Sequence, residues 1–280
     1  MLRQRVITAL LLLAVLLPAM FHEDIWPFAA LSVLMVGAAG WEWARMNASS
    51  KNGSLLAGML LAATLLVFWQ LGGLAYRWSS IWTGASFAWL LLALVMLRRG
   101  ISGWNAWNPS LRMWGGLILL AVAWLALVQS RQTGLVFLLS ILTLVWAADI
   151  AAYAGGKAFG RRKLAPTLSP GKSWEGAFSG LLGVMLLAWF WVWFDRTYAA
   201  GAPSLFTRLW QVGPVWTLVS VIALTVTSVI GDLLESLVKR GAGMKDSSQL
   251  LPGHGGILDR VDALLPVLPV AMMIVQVLEN

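Results

Sequence analysis

The 280-residue chain is 59% hydrophobic and 11% charged and carries 18 Trp, with a mean hydropathy of +0.78. An ordinary soluble domain is about 25% charged and a disordered chain is poor in aliphatic and aromatic residues, so both classes are excluded. The absence of cysteine removes disulfides, thiolate metal sites and Cys nucleophiles, which leaves carboxylates, Lys, Arg, Ser and the two histidines, His22 and His254, to carry any chemistry.

A membrane-spanning helix needs about 20 mostly apolar residues. Nine segments meet that need in chain order: 5–21, 25–43, 55–74, 79–97, 111–129, 134–153, 174–194, 214–238 and 261–278. The first follows Arg3 and Arg5, but Pro18-Ala19-Met20 is no small-residue cleavage site, so it is read as a retained helix. With the N-terminus in the cytoplasm, sixteen of the twenty Lys and Arg residues fall inside, and only Arg77, Arg131, Arg196 and Arg208 fall outside. Basic residues accumulate on the cytoplasmic side of membrane proteins, so this orientation is the expected one. It also accounts for the formal net charge of +8, which therefore gives no support to nucleic-acid binding. The predicted fold is an all-α polytopic transmembrane protein of about nine spans, N-terminus cytoplasmic and C-terminus outside. It forms one continuous membrane domain, in which residues 1–140 supply spans and 141–280 supply spans plus cytoplasmic-face loops.

The first polar block begins where span six ends. Asp149 and Tyr153 share a helical face at i and i+4, and the loop 154–173 follows with Lys157, Arg161, Arg162, Lys163, Ser169, Lys172 and Ser173 before Glu175. Gly171-Lys172-Ser173 looks like the end of a nucleotide-binding phosphate loop, but Pro166 stands where that motif needs Gly and no strand is expected before it. What survives is a Lys and a Ser at a helix start with free backbone N–H groups, a favourable phosphate site. Span eight ends in a second block: Asp232, Glu235, Ser236 and Lys239 stand at i, i+3, i+4 and i+7, so one face is polar among Leu233, Leu234, Leu237 and Val238. Ionisable groups near membrane depth usually face a partner, a cavity or a substrate. An internal ion network pinning two helices satisfies the same pattern.

The loop 239–260 continues through Lys239, Arg240, Lys245 and Asp246 to Gly253-His254-Gly255-Gly256, then Asp259, Arg260 and Asp262. The glycines allow close approach of backbone to a ligand. Asp259 and Asp262, one turn apart, either cap the ninth helix or meet a cation. Carboxylates without a His or Cys cluster suit a hard ion such as Mg2+. His254 is left to phosphate binding, proton transfer or bracing of the loop.

The run Ser236-Leu-Val-Lys239-Arg240, Lys245-Asp246, Pro252-Gly-His254-Gly-Gly-x-Leu-Asp259-Arg260-x-Asp262 resembles the signature of the phosphatidate cytidylyltransferases. Upstream, Asp149-x3-Tyr153, Lys163-Leu164-x-Pro166-x2-Ser169-Pro170-x-Lys172 and Glu175-Gly176 resemble the second polar block of that family, so the likeness covers roughly 145–280. The resemblance implies transfer of the cytidylyl group of CTP to phosphatidate, with CDP-diacylglycerol and pyrophosphate as products, Mg2+ as cofactor with room for a second cation, and a site facing the cytoplasm in the inner membrane. Its substrates would be CTP and a lipid of the bilayer; a homodimer is left open. On that reading Asp232 and Asp259 are the first candidates for metal ligands, with Asp246 and Asp262 beside them. Lys239, Arg240, Lys245 and Arg260 would hold phosphates, joined from the other loop by Lys157, Ser169, Lys172 and Ser173. Asp149 and Glu175 would orient those bases or the ribose, and Glu235, Ser236 and His254 complete the candidate substrate contacts. The alternatives are a transferase acting on another lipid phosphate and a lipid transporter.

Overall fold

A computed structural model describes residues 2–47, 49–198 and 201–279; Ala48 and the side chains of Leu2, Arg3 and Arg5 lie outside the described residues. The helices are α1 (Leu2–Phe21), α2 (Trp26–Met46), α3 (Lys51–Gln70), α4 (Ser79–Asn105), α5 (Pro109–Thr133) and α6 (Leu135–Phe159), then α7 (Trp174–Tyr198), α8 (Leu205–Val212), α9 (Pro214–Gly241), α10 (Leu258–Val261) and α11 (Leu264–Glu279). Local chemistry starts several of them. Ser50 accepts from Gly53 N at 3.1 Å, Asn108 from Ser110 N at 2.8 Å and Ser204 from Thr207 N at 3.2 Å, each satisfying a donor that a helix leaves free. Pro109 and Pro214 stand where the missing N–H costs nothing.

Among the described residues seven helical segments are long and apolar enough to cross a bilayer, and Val6–Phe21 is a shorter apolar one. Their outward faces carry exposed Leu, Phe and Trp, as at Leu11, Leu60, Leu91, Leu186 and Trp189. Such faces suit a hydrocarbon solvent, in which helices satisfy their own backbone groups.

Small residues set the closest helix approaches. On α7, a Cβ at Gly176 would lie 2.8 Å from Ala152 O and one at Gly180 would lie 2.9 Å from Ala148 O, so α6 and α7 pack backbone to backbone at the spacing used by membrane helices. On α9, a Cβ at Gly231 would lie 2.6 Å from Asp262 O. The residue before Asp232 thereby lets the α10–α11 junction press against the polar end of α9.

Three local features depart from the sequence expectation. The loop 154–173 is largely ordered: α6 continues to Phe159 and the rest folds as an antiparallel hairpin of β1 (Lys163–Ala165) and β2 (Ser169–Ser173), with Lys163 opposite Ser173. Leu168 in its turn is buried and anchors it. Helix α4 outruns its apolar stretch, breaking at Gly100 (φ 65°) before a last helical segment that carries Trp104 and Asn105. The ninth span is interrupted at Asp262 and Ala263, which join α10 to α11.

Candidate active site

Helix α9 runs unbroken from Pro214 to Gly241, so the i, i+3, i+4, i+7 spacing does place Asp232, Glu235, Ser236 and Lys239 on one face. Two ion pairs tie that face to other parts of the chain. Lys172 Nζ at the end of the hairpin lies 2.6 Å from Asp232 Oδ2, while Ser236 Oγ donates to Asp232 Oδ1 at 3.3 Å. Lys239 Nζ sits between Glu235, one turn earlier on its own helix, and Asp259 Oδ1 of α10 at 2.7 Å. The two polar blocks, far apart in sequence, therefore meet at one end of the bundle. Asp149 on α6 lies within electrostatic reach of Asp232 and Lys172, and Asp262 within reach of Asp232, Asp149 and Lys239. Three carboxylates (Asp232, Glu235 and Asp259) thus pair with two lysines, Lys172 and Lys239, and Asp149 and Asp262 lie close enough to feel the same charges.

The loop between α9 and α10 is held by two carboxylates. Asp259 accepts from Lys239 Nζ, from Gly256 N at 2.8 Å and from Ser247 through both its backbone N and its Oγ, each at 3.0 Å. The second is Glu42 on α2, fully buried. Its Oε1 accepts from Ser248 Oγ at 2.5 Å and Ile257 N at 3.0 Å; its Oε2 accepts from Leu258 N at 2.7 Å and shares, at 3.2 Å, the single hydroxyl proton of Ser247 with Asp259. Gly255 (φ 81°) and Gly256 are required here, since a Cβ at Gly255 would stand 2.6 Å from Asp259 Oδ2 and one at Gly256 would collide with Glu42 and Ser247. Thr8 Oγ1 on α1 donates to Pro252 O at 3.0 Å, another tie from the N-terminal half. Sequence reasoning missed Glu42, Ser247 and Ser248. The available signal was an acidic residue inside an apolar span, an arrangement that usually marks a buried partner.

The remaining candidates divide by what already engages them. Glu175 accepts from the backbone of Arg161 at 3.0 Å and Arg162 at 3.2 Å, so it shapes the turn into β1. Ser173 Oγ, buried, accepts from Gly176 N at 3.1 Å and serves the start of α7. Ser169 opens β2. Lys157, Arg240, Lys245 and Arg260 are exposed and make no ion pair among the described residues, and Asp246 is exposed with no hydrogen bond shown. His254 donates its backbone N–H to Leu251 O at 2.8 Å while its buried Nδ1 has no partner among the described residues. Unpaired cations around a pocket of engaged carboxylates form a surface suited to phosphates.

Comparison with known proteins gives the family. Residues 3–278 match the model of the cytidylyltransferase family. The chain is 38% identical over 279 residues to a phosphatidate cytidylyltransferase of Pseudomonas aeruginosa, covering 96% of this chain and 95% of that protein. It is 34% identical over 288 residues to one from Haemophilus influenzae, covering 96% of each. A third, from Brucella suis, is 34% identical over 277 residues, covering 94% of this chain and 89% of the relative. The likeness runs through the N-terminal spans that supply Glu42 as well as through the two polar blocks, and the chain belongs to the cytidylyltransferase family.

Proposed function

We propose that this chain transfers the cytidylyl group of CTP to phosphatidate, releasing pyrophosphate and forming CDP-diacylglycerol. The observation that carries the reading is the Lys172–Asp232 pair, which joins the two polar blocks into one site in a chain of this family. In the reaction an oxygen of the lipid phosphate attacks the α-phosphorus of CTP, and the bond to the β-phosphate oxygen breaks in line with it. The attacking phosphate is already ionised near neutral pH, so no general base and no covalent enzyme intermediate are required. The residues position the two anions and screen their repulsion. Lys157, Lys245, Arg240 and Arg260 would take the triphosphate, and Lys172 would move from Asp232 toward an incoming phosphate.

The donor set fits Mg2+. The candidate ligands offer carboxylate oxygen and no thiol, and among the described residues no group of three or more acidic or His side chains is arranged to cage an ion. Mg2+ commonly takes one or two carboxylates and completes its shell with water and substrate phosphate. Asp232 and Asp262 would hold it, with Asp149 close by; Asp259 would join only by releasing Lys239, and Asp246 is the free carboxylate for a second cation. When bound, Mg2+ would supply neutralisation of the phosphate oxygens.

Sidedness follows the basic residues. We place the site in the cytoplasm, where CTP is, with nine spans in the inner membrane. The ties of Thr8, Glu42, Asn105 and Lys172 to α9 and its following loop support it by gathering the basic segments at one end. Purified protein given CTP labelled at the α-phosphate, Mg2+ and phosphatidate should yield labelled lipid and pyrophosphate only when both substrates are present. Label transferred to an isoprenoid phosphate and not to phosphatidate would reject the assignment, and a cytidylylated protein formed without lipid would reject the direct displacement.

A further inference from the structure

Helix α9 brings Lys239 and Arg240 to the site on its last turn, and a helix C-terminus is the wrong end to offer an anion. The last four carbonyls of a helix lack intrahelical donors and together act as about half a negative charge, which repels a phosphate that approaches them. Here all four are covered. The turning chain covers three: Ala242 N donates to Val238 O at 3.0 Å, Met244 N to Lys239 O at 2.8 Å and Gly243 N to Arg240 O at 3.0 Å, with Gly243 at φ 70° allowing the reversal. The fourth, Gly241 O, has no backbone donor among the described residues and accepts instead from Asn105 Nδ2 at the end of α4, at 3.3 Å.

The orientation of that amide is imposed from α5. Arg112 Nη1 donates to Asn105 Oδ1 at 3.2 Å, and a guanidinium can only donate, so the amide oxygen must face Arg112 and the NH2 group must face Gly241. Arg112 is itself seated over the ring of Trp104 at 5.5 Å, and Trp104 meets Trp43 edge-on with ring centroids 6.0 Å apart. The contact is close enough to require glycine on α9, since a Cβ at Gly241 would lie 2.9 Å from Trp104 Cδ1 and 3.0 Å from Asn105 Oδ1. Donors thus run in one line, Arg112 to Asn105 to Gly241 O, and bring the influence of a guanidinium to the end of α9 beside Arg240. We infer that Asn105, pinned by Arg112, is a positioning residue for the triphosphate: it covers the carbonyl that would otherwise oppose the anion held by Lys239, Arg240 and Lys245. This rests on the proposed use of CTP and adds residues of α4 and α5, outside both polar blocks, that condition its binding.

Equilibrium binding tests this without turnover. Protein in phosphatidylcholine vesicles, with Mg2+ and no phosphatidate, is titrated with labelled CTP, and unlabelled CDP, CMP and inorganic triphosphate compete for the site. Asn105→Leu keeps the size and deletes the donor; it should weaken CTP about threefold, because a helix end changes the binding of one nearby charge by about two- to fivefold. Asn105→Asp keeps the bond from Arg112 but sets a carboxylate against the carbonyl and the phosphates, and should weaken CTP about tenfold. Arg112→Gln leaves the amide of Asn105 free to turn and should reproduce the loss seen in Asn105→Leu. In each variant the loss should be greatest for CTP and inorganic triphosphate, smaller for CDP and least for CMP, and should shrink in about 1 M salt, where the screening length is about 3 Å. Melting temperature should move by only a few degrees, because Asn105 is exposed. Unchanged CTP affinity in Asn105→Leu, or equal weakening of CTP and CMP that persists in high salt, would overturn the inference and leave the contact a matter of packing. Phosphate-dependent losses in a protein that makes no nucleotide lipid would instead leave the inference standing and reject the activity.

Discussion

Replacing Glu42 with Gln tests whether a residue of the N-terminal half holds the catalytic loop. Each carboxylate oxygen faces one Ser hydroxyl and one backbone N–H: Ser248 and Ile257 on Oε1, and Leu258 on Oε2 with Ser247, whose one proton is shared with Asp259. An amide has one oxygen and one NH2 group, so whichever way it is turned, one pair keeps its acceptor and the other meets a donor. The displaced Ser hydroxyl can rotate to accept, but the backbone N–H cannot. That orphaned amide costs about 1–3 kcal/mol, and loss of charge assistance weakens each of the two surviving bonds by about 1 kcal/mol. The sum is about 3–5 kcal/mol, concentrated on the segment from Ser247 to Leu258. Ser248→Ala removes one donor to Glu42 and the acceptor of the Leu250 N–H, which lies nearer solvent, and should cost less, about 1.5–3 kcal/mol. Amide hydrogen exchange across 245–258 should accelerate by two or more orders of magnitude in Glu42→Gln, with kcat falling and the exchange of α6 and α7 unchanged. Unaltered exchange in that loop together with normal turnover would refute the clasp and reduce Glu42 to a satisfied but idle buried acid.

Asp232→Asn should lower turnover at least a hundredfold at ordinary Mg2+ while changing stability by no more than about 1 kcal/mol, because the Lys172–Asp232 pair is partly solvated; turnover and melting temperature on the same preparation check it, and near-normal turnover would remove Asp232 from the metal site. Lys239→Met should be strongly destabilising, by about 3–5 kcal/mol, because Glu235 and Asp259, with side chains each 5% exposed, would lose their shared cation. Adding Glu235→Gln should recover part of the loss in melting temperature, and no recovery would contradict the pairing. Because the chain has no native cysteine, single Cys residues can report topology. Those at Arg161 and Gln249 should be shielded from an impermeant thiol reagent in intact cells and one at Ala202 labelled, and the reverse pattern would move the site away from cytoplasmic CTP.

Much of this protein is legible in the order of its residues. A solvent of hydrocarbon demands long apolar helices, so composition and segment length yield the all-α membrane class and bring the expected spans close to the observed helices. Helical periodicity, a local property, places Asp232, Glu235, Ser236 and Lys239 on one face, and the motif around His254 and Asp259 carries the family likeness. Long-range pairing is not local, and there the tertiary structure decided. It assigned Lys172 to Asp232 and Lys239 to Glu235 and Asp259, and turned Glu175 inward to its own loop. It also brought Glu42 across 205 positions to Ser247. Glu42 is invisible to periodicity because a single acid in an apolar span has no sequence neighbour that reveals its partner. Its role exists only once α2 packs beside the glycines of the loop.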